Sequence, residues 1–237
     1  MIPAALEICG VSKDYHGLRP LRIQQLTVSP VDRIAIVGVD RASAEVFVNL
    51  VTGTTLPDAG SVNVFGRSTA EISDSADWLS VADRFGIVSD RAVLLEQLSV
   101  IQNLALPFTL DIEPPSEDAS RRAAALAREV GLPEPSWPSA VGAIDAPPKA
   151  RVRLARALAL DPAVLLLEHA SATLDAEAAR SFGADVQSIA SRRGIAVVAL
   201  TADEAFAHAA AASVLRLDAA TGRLVDAERG FFRRLLG

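Results

Sequence analysis

The chain has 237 residues and a formal net charge of −6, a length suited to one large domain with a full hydrophobic core. Half of the residues are hydrophobic and 22% are charged, a balance that excludes both a disordered tail and a membrane-embedded bundle. The acidic excess argues against a nucleic-acid partner. The most apolar stretch, residues 195–217, is interrupted by Asp203, Glu204 and His208, short of the roughly 18 uninterrupted apolar residues that a spanning helix needs. Glu7 near the start, with no basic segment leading into an apolar core, gives no secretory signal, and the expected compartment is the cytoplasm. A single cysteine, Cys9, excludes an internal disulfide, and the scattered His16, His169 and His208 do not make a His/Cys metal cluster.

In chain order, residues 6–8 and 25–28 read as antiparallel strands. Residues 33–37 (RIAIV) read as a buried strand leading through a loop to an apolar helix at 46–51. A further strand at 61–64 follows the turn 57–60, and another lies at 85–88. From 90 to 150 no strand pattern occurs, and prolines cluster at 114–115, 133–138 and 147–148. This stretch is expected to be a helical insertion. Strands are then expected at 163–167, 195–200 and 214–217. Alanine-rich helical segments lie at 120–130, 149–160, 176–192 and 203–210. Strands alternating with helices imply a mostly parallel sheet covered on both faces.

The loop after residues 33–37 reads Gly38-Val39-Asp40-Arg41-Ala42-Ser43-Ala44-Glu45. Its strand–loop–helix layout is that of a phosphate loop, Gly-x-x-x-x-Gly-Lys-Ser/Thr, yet only the first glycine matches. Ser43 stands at the second glycine, Ala44 at the lysine and Glu45 at the magnesium-binding hydroxyl. By itself this loop is an ordinary strand-to-helix turn.

The rest of the chain resembles the ATP-binding subunits of ATP-binding cassette (ABC) transporters in colinear order. Val11-Ser12-Lys13-Asp14-Tyr15 is similar to the segment whose aromatic residue stacks on adenine. Asn49-Leu50-Val51-Thr52-Gly53, Pro57-Asp58-Ala59-Gly60-Ser61-Val62 with Gly66, and Leu98-Ser99-Val100-Ile101-Gln102-Asn103-Leu104-Ala105-Leu106-Pro107 resemble the family's framework. Arg151-Val152-Arg153-Leu154-Ala155-Arg156-Ala157-Leu158, followed by Asp161-Pro162 and an apolar strand, resembles the signature helix and second nucleotide motif. Ala172-Thr173-Leu174-Asp175 resembles the loop that contacts a second cassette. The resemblance implies an α/β P-loop NTPase-like fold in one domain, residues 1–237. Its core would be about 1–89 and 151–237, with antiparallel N-terminal strands and a helical subdomain at about 90–150.

The departures from the family pattern fall on the chemistry. By position, the coupling glutamine corresponds to Asp90 and the signature Leu-Ser-Gly-Gly-Gln to Ile144-Asp145-Ala146-Pro147-Pro148. The magnesium-associated aspartate corresponds to Glu168, the catalytic glutamate to His169 and the switch histidine to Ala202. Asp40, Arg41 and Glu45 leave the loop with a formal charge of −1 where the family's lysine gives +1. At about 5 Å and an effective dielectric near 20, each charge pair is worth roughly 3 kcal/mol. The two-unit change therefore approaches ~6 kcal/mol, more than the ~1–3 kcal/mol that stacking on Tyr15 returns.

Arg41 is either a phosphate ligand or a solvated loop residue, and Tyr15 either an adenine platform or a packing aromatic. Ser43 is the expected N-cap of the following helix with Glu45 in its first turn, so that the protein fills its own anion site. Asp145 is the expected N-cap of a helix begun by Pro147 and Pro148, which have no N–H for a phosphate. Glu168 keeps a carboxylate, but its longer side chain displaces it from a magnesium ion. His169 could accept a proton from water. Asp83, Asp203 and Glu204 read as surface carboxylates.

No cofactor is expected, with ATP and magnesium binding weak or absent. Three readings remain open: a non-hydrolysing structural or regulatory cassette subunit, which the residues favour; an ATPase half-site in an asymmetric pair; and a soluble nucleotide sensor using Tyr15. The expected partners are a transmembrane subunit, docked near residues 90–107, and a second cassette contacted through 172–175 and Asp175, with the chain peripheral on the inner face of the membrane. A terminal helix at 230–237 would gather Phe231, Phe232, Leu235 and Leu236 on one side, for self-packing or for a partner or membrane contact.

Overall fold

The computed structural model describes residues 3–227, so the proposed helix at 230–237 lies outside the described residues. Two sheets share the core. Strands β1 (Leu6–Lys13), β2 (Leu21–Val28), β4 (Ala59–Val64) and the short β5 (Arg67–Ser68) form an antiparallel sheet in the order β2-β1-β4-β5. Strands β3 (Arg33–Val37), β6 (Phe85–Ser89), β7 (Val164–Glu168), β8 (Ala196–Thr201), β9 (Ser213–Asp218) and β10 (Arg223–Asp226) form the second, ordered β10-β9-β3-β8-β7-β6. All of its pairings are parallel except that of β10 with β9. The α/β class, the mostly parallel sheet and the antiparallel N-terminal strands follow the sequence expectation.

β7 and β8 are buried at every position, as strands covered on both faces must be. Alternation sends neighbouring side chains to opposite layers. Ala35, Val37, Leu165, Leu167, Val197 and Ala199 face one cluster, shared with helices α3 (Val100–Ala105), α4 (Glu117–Glu129), α5 (Ala146–Leu158), α6 (Ala176–Arg193) and α7 (Glu204–Ala210). Ile34, Ile36, Leu166 and Val198 face the other, shared with α1 (Arg41–Val51) and the antiparallel sheet. Helix α2 (Ser75–Ala82), capped by Asp74, and the edge strand β10 add elements that the apolar pattern does not mark. α1 begins five residues earlier than its apolar run suggests, at Arg41 rather than 46.

The helices between β6 and β7 are tied to the rest by Arg193 at the end of α6. Its Nε and Nη2 donate to Glu129 Oε1 and Oε2 at 2.7 and 2.6 Å, and its Nη1 donates to Leu158 O at 2.9 Å. The Arg193 hydrogen bond holds the Glu129 carboxyl below its usual range, against the upward push of burial. A depressed folded-state pKa contributes stability that is present above the unfolded value, about 4.3, and is lost as pH falls through the folded value. Glu129→Gln is therefore expected to cost about 1–2 kcal/mol at neutral pH. The difference from wild type should shrink toward zero in strongly acidic solution, as urea titrations at falling pH would show. A difference that persists unchanged in acid would refute this account.

Candidate functional site

The carboxyl ends of β3, β6, β7 and β8 converge on one edge of the sheet, where open α/β sheets bind ligands. Gly38 leaves β3 at φ +84°, with Leu217 O only 3.2 Å from where a Cβ would stand, so glycine is needed there for conformation and space alike. The next turn is closed by Asp40, the N-cap of α1, whose Oδ1 accepts from Ser43 N at 2.7 Å. This corrects the expectation that Ser43 caps the helix with Glu45 in the first turn. The helix starts at Arg41, so Glu45 lies beyond that turn. An acidic side chain still occupies the N-terminal anion position, but it is that of Asp40.

Ser43 Oγ instead shares a 2.9 Å hydrogen bond with Tyr15 OH. The Tyr15 ring is half-buried against the apolar cluster. It also lies so close to Gly17 that an added Cβ would come within 2.5 Å of Tyr15 Cε2. Tyr15 thus packs against the core and is bonded into the loop. Ala44, at the lysine position, is fully buried in the same cluster.

Across the loop lies the residue that sequence reasoning passed over. Arg91, just after β6, places Nη1 2.6 Å from Glu45 Oε1 and Nη2 2.6 Å from Glu168 Oε2. Glu168 closes β7 and is only 3% exposed, whereas Arg91 and Glu45 are half-exposed. The hydrogen bond that Arg91 donates to Glu168 raises the Arg91 pKa above the ordinary arginine value; burial opposes the rise, and the charges of Glu168 and Glu45 add to it. Beside it, Arg41 Nη1 pairs with Asp90 Oδ2 at 2.5 Å. Arg41 is therefore engaged with Asp90 rather than free in the loop. The site holds Asp40, Glu45, Asp90 and Glu168 against Arg41 and Arg91, a formal charge of two negative.

His169 follows Glu168 at φ +45°. Its N–H donates to Leu200 O at 2.9 Å, and its buried Nε2 has no hydrogen-bond partner. Ala202 is exposed and brings no titratable group. Asp203 is not the simple surface carboxylate expected: it is half-buried, Oδ2 accepts from Ser171 Oγ at 3.0 Å, and Oδ1 caps α7 through Phe206 N at 3.0 Å. Glu204 and Asp83 are exposed as read, with Glu204 paired to Arg216.

Asp145 stands at the N-cap of α5 and Pro147 and Pro148 in its first turn, but the Asp145 side chain makes no capping bond. Asp175 caps α6, accepting from Ala178 N at 2.8 Å, and the preceding Ala172 and Thr173 are exposed. The structure thus joins Tyr15 to Ser43, Arg41 to Asp90, and Glu45 to Glu168 through Arg91.

The ABC transporter family model matches residues 21–172. The chain belongs to the ABC transporter family. This cassette is 30% identical over 202 residues to the lipoprotein-releasing system ATP-binding protein LolD of Chromohalobacter salexigens, covering 85% of this chain and 83% of that one. It is 31% identical over 203 residues to the methionine import ATP-binding protein MetN of Mesorhizobium japonicum, covering 85% of this chain and 54% of that protein. The chain spans about half the length of the MetN relatives it matches.

The fold is shared with the cassette cbiO1 of Clostridium perfringens, part of the ABC transporter complex cbiONQ, at a TM-score of 0.79 and 17% identity, covering 98% of this chain and 92% of that one. A nucleotide-free ATP-binding cassette from an ABC transporter superposes at 0.78 with 15% identity, covering 99% and 96% of the two chains. Arg41 and Arg91, the cations that this cassette brings to its phosphate-loop edge, are both already engaged by carboxylates. Glu168 is held by Arg91, and the position of the metal-binding hydroxyl carries Glu45, held by the same arginine.

Proposed function

We propose that this cassette works in an ABC transporter-type complex as a docking and regulatory subunit that does not hydrolyse ATP. The observation that carries the reading is the seat of Arg91 between Glu45 and Glu168. A phosphate would have to displace the half-exposed Glu45 from Arg91, or take the guanidinium altogether from Glu168, a carboxylate that is 3% exposed. Stripping a buried charge of its partner costs about 3 kcal/mol, roughly a hundredfold in affinity, before repulsion from Asp40 and Glu45 is counted. With Ala44 and His169 at the positions of the phosphate lysine and catalytic carboxylate, no group is left to hold a γ-phosphate for an attacking water.

The proposed partners are a transmembrane subunit, near residues 90–107, and a second cassette, at the exposed turn 172–175. On the first surface Val93 is 72% exposed. It lines a cavity of about 460 Å³ together with Leu95, Lys149 and Arg153, which suits a segment bearing apolar side chains and a carboxylate. Among the described residues no helix is long and apolar enough to cross a membrane. The proposed place of the chain is accordingly peripheral, on the cytoplasmic face.

The purified chain is expected to release phosphate from magnesium-ATP no faster than a buffer control. Calorimetry is expected to show no binding tighter than millimolar. Turnover that follows the protein through several columns and disappears in His169→Ala would overturn the reading. Micromolar binding lost in Tyr15→Ala would favour a nucleotide sensor instead.

A further inference from the structure

Segment 90–97 carries the proposed membrane-subunit contact, and it is fastened from two sides. Toward the site, Asp90 is held by Arg41 of α1, and Arg91 spans Glu45 of α1 and Glu168 of β7. Toward α5, Arg156 Nη1 donates to Val93 O at 2.7 Å and Arg153 Nε to Ala92 O at 3.5 Å. Farther along, the fully buried Asn103 accepts from Leu95 N at 2.9 Å and donates to Leu95 O at 3.0 Å. Gly142 N donates to Glu96 O at 2.9 Å. Val93 and Leu95 are left outward as exposed apolar side chains, beside the exposed Glu96 and Gln97.

We propose that the Arg41–Asp90 and Glu45–Arg91–Glu168 ion pairs replace bound nucleotide as the link between the phosphate-loop helix, β7 and the docking segment, and hold that segment in one docking-ready position at all times. The inference rests on the docking reading above. A site that depends on a nucleotide to bring α1, β7 and the segment after β6 together responds to that nucleotide. Here the same three elements are joined by groups that never dissociate from the chain. The bridging cation is a side chain, its counter-charges belong to two other elements, and one of them is buried where losing its partner is costly. The partner surface is then presented whether or not nucleotide is bound.

Hydrogen exchange on the full chain tests this at the amides of Arg91, Ala92 and Leu95, which donate to Ser89 Oγ, Ser89 O and Asn103 Oδ1. In wild type these amides should be protected, and millimolar magnesium-ATP should leave their protection unchanged. The combination of Arg41→Gln, Arg91→Gln and Glu168→Gln removes both links without leaving a buried charge. It should speed exchange at Arg91 and Ala92 by roughly tenfold or more while α4 keeps its protection.

Should that variant not fold, Arg41→Gln alone alters a side chain that is 61% exposed, and it should still speed exchange at Arg91 by about threefold. Equal exchange in wild type and variant, or a rise in wild-type protection on adding magnesium-ATP, would overturn the inference. Micromolar nucleotide binding by calorimetry would instead sink the proposed function, so the two failures are distinguishable.

Discussion

Arg91→Ala is expected to destabilise the protein by about 3 kcal/mol and to lower its melting temperature by roughly 6–12 °C. Glu168→Gln is expected to cost only about 1 kcal/mol. The asymmetry comes from burial. Removing the half-exposed arginine leaves the Glu168 carboxylate, 3% exposed, without its cation. Removing the carboxylate leaves an arginine that reaches water and keeps Glu45. Adding Glu168→Gln to Arg91→Ala should therefore recover about 1–2 kcal/mol of the loss, a coupling that a double-mutant cycle reads directly. Equal costs for the two single variants, or no recovery in the double variant, would mean that Arg91 packs at the edge without neutralising the buried charge.

The framework was legible because its signals are local. The runs at 33–37, 163–167 and 195–200 are short, apolar and bounded by turn residues, and they form β3, β7 and β8 within a residue at each end. The alanine-rich segment 176–192 becomes α6 almost unchanged. α2 and β10 were not legible because they sit at the surface, and their half-exposed faces carry little periodicity.

The site was legible by position and not by contact. Asp90, Glu168 and Glu45 could be placed by their order along the chain, but Arg91 acts on partners 46 and 77 residues away, and no spacing rule connects them. A charge count could have found it. A buried glutamate at the end of a parallel strand requires a cation, and the arginine beside Asp90, at the end of the neighbouring strand, is placed to supply one.

The same contact changes the electrostatic argument. Counted alone, the loop carries −1 and repels phosphate. In the folded protein Glu45 and Glu168 share a guanidinium, so the proposed loss of nucleotide binding rests on occupied groups as well as on a negative field. The length of Glu168, which reads as a displaced metal ligand in sequence, is used to reach Arg91. The capping error has an equally local cause. Both Asp40 and Ser43 are good N-caps, and backbone geometry decides between them: Asp40 is extended at ψ 172° while Ser43 is already helical.

The largest expected effect lies behind the site, at Gly86. An added Cβ there would stand 2.4 Å from Ala157 O, 2.8 Å from Leu165 Cδ2 and 3.0 Å from Pro162 Cγ. The first of these is a backbone carbonyl near the end of α5, which cannot turn away as a side chain could, so relief requires α5 to move off β6. Overpacking of this kind costs about 3 kcal/mol or more, and Gly86→Ala should lower the melting temperature by at least roughly 6 °C. Moving α5 also draws Arg153 and Arg156 away from Ala92 and Val93, the bonds that hold the docking segment from that side. Gly86→Ala should consequently raise hydrogen exchange at Ala92 and Leu95 beyond what its global destabilisation explains, while the Arg193–Glu129 tie keeps α4 protected. A variant that melts as wild type would show that β6 and α5 are not pressed together at Gly86. One that melts early but loses protection evenly would show that α5 does not brace the docking segment.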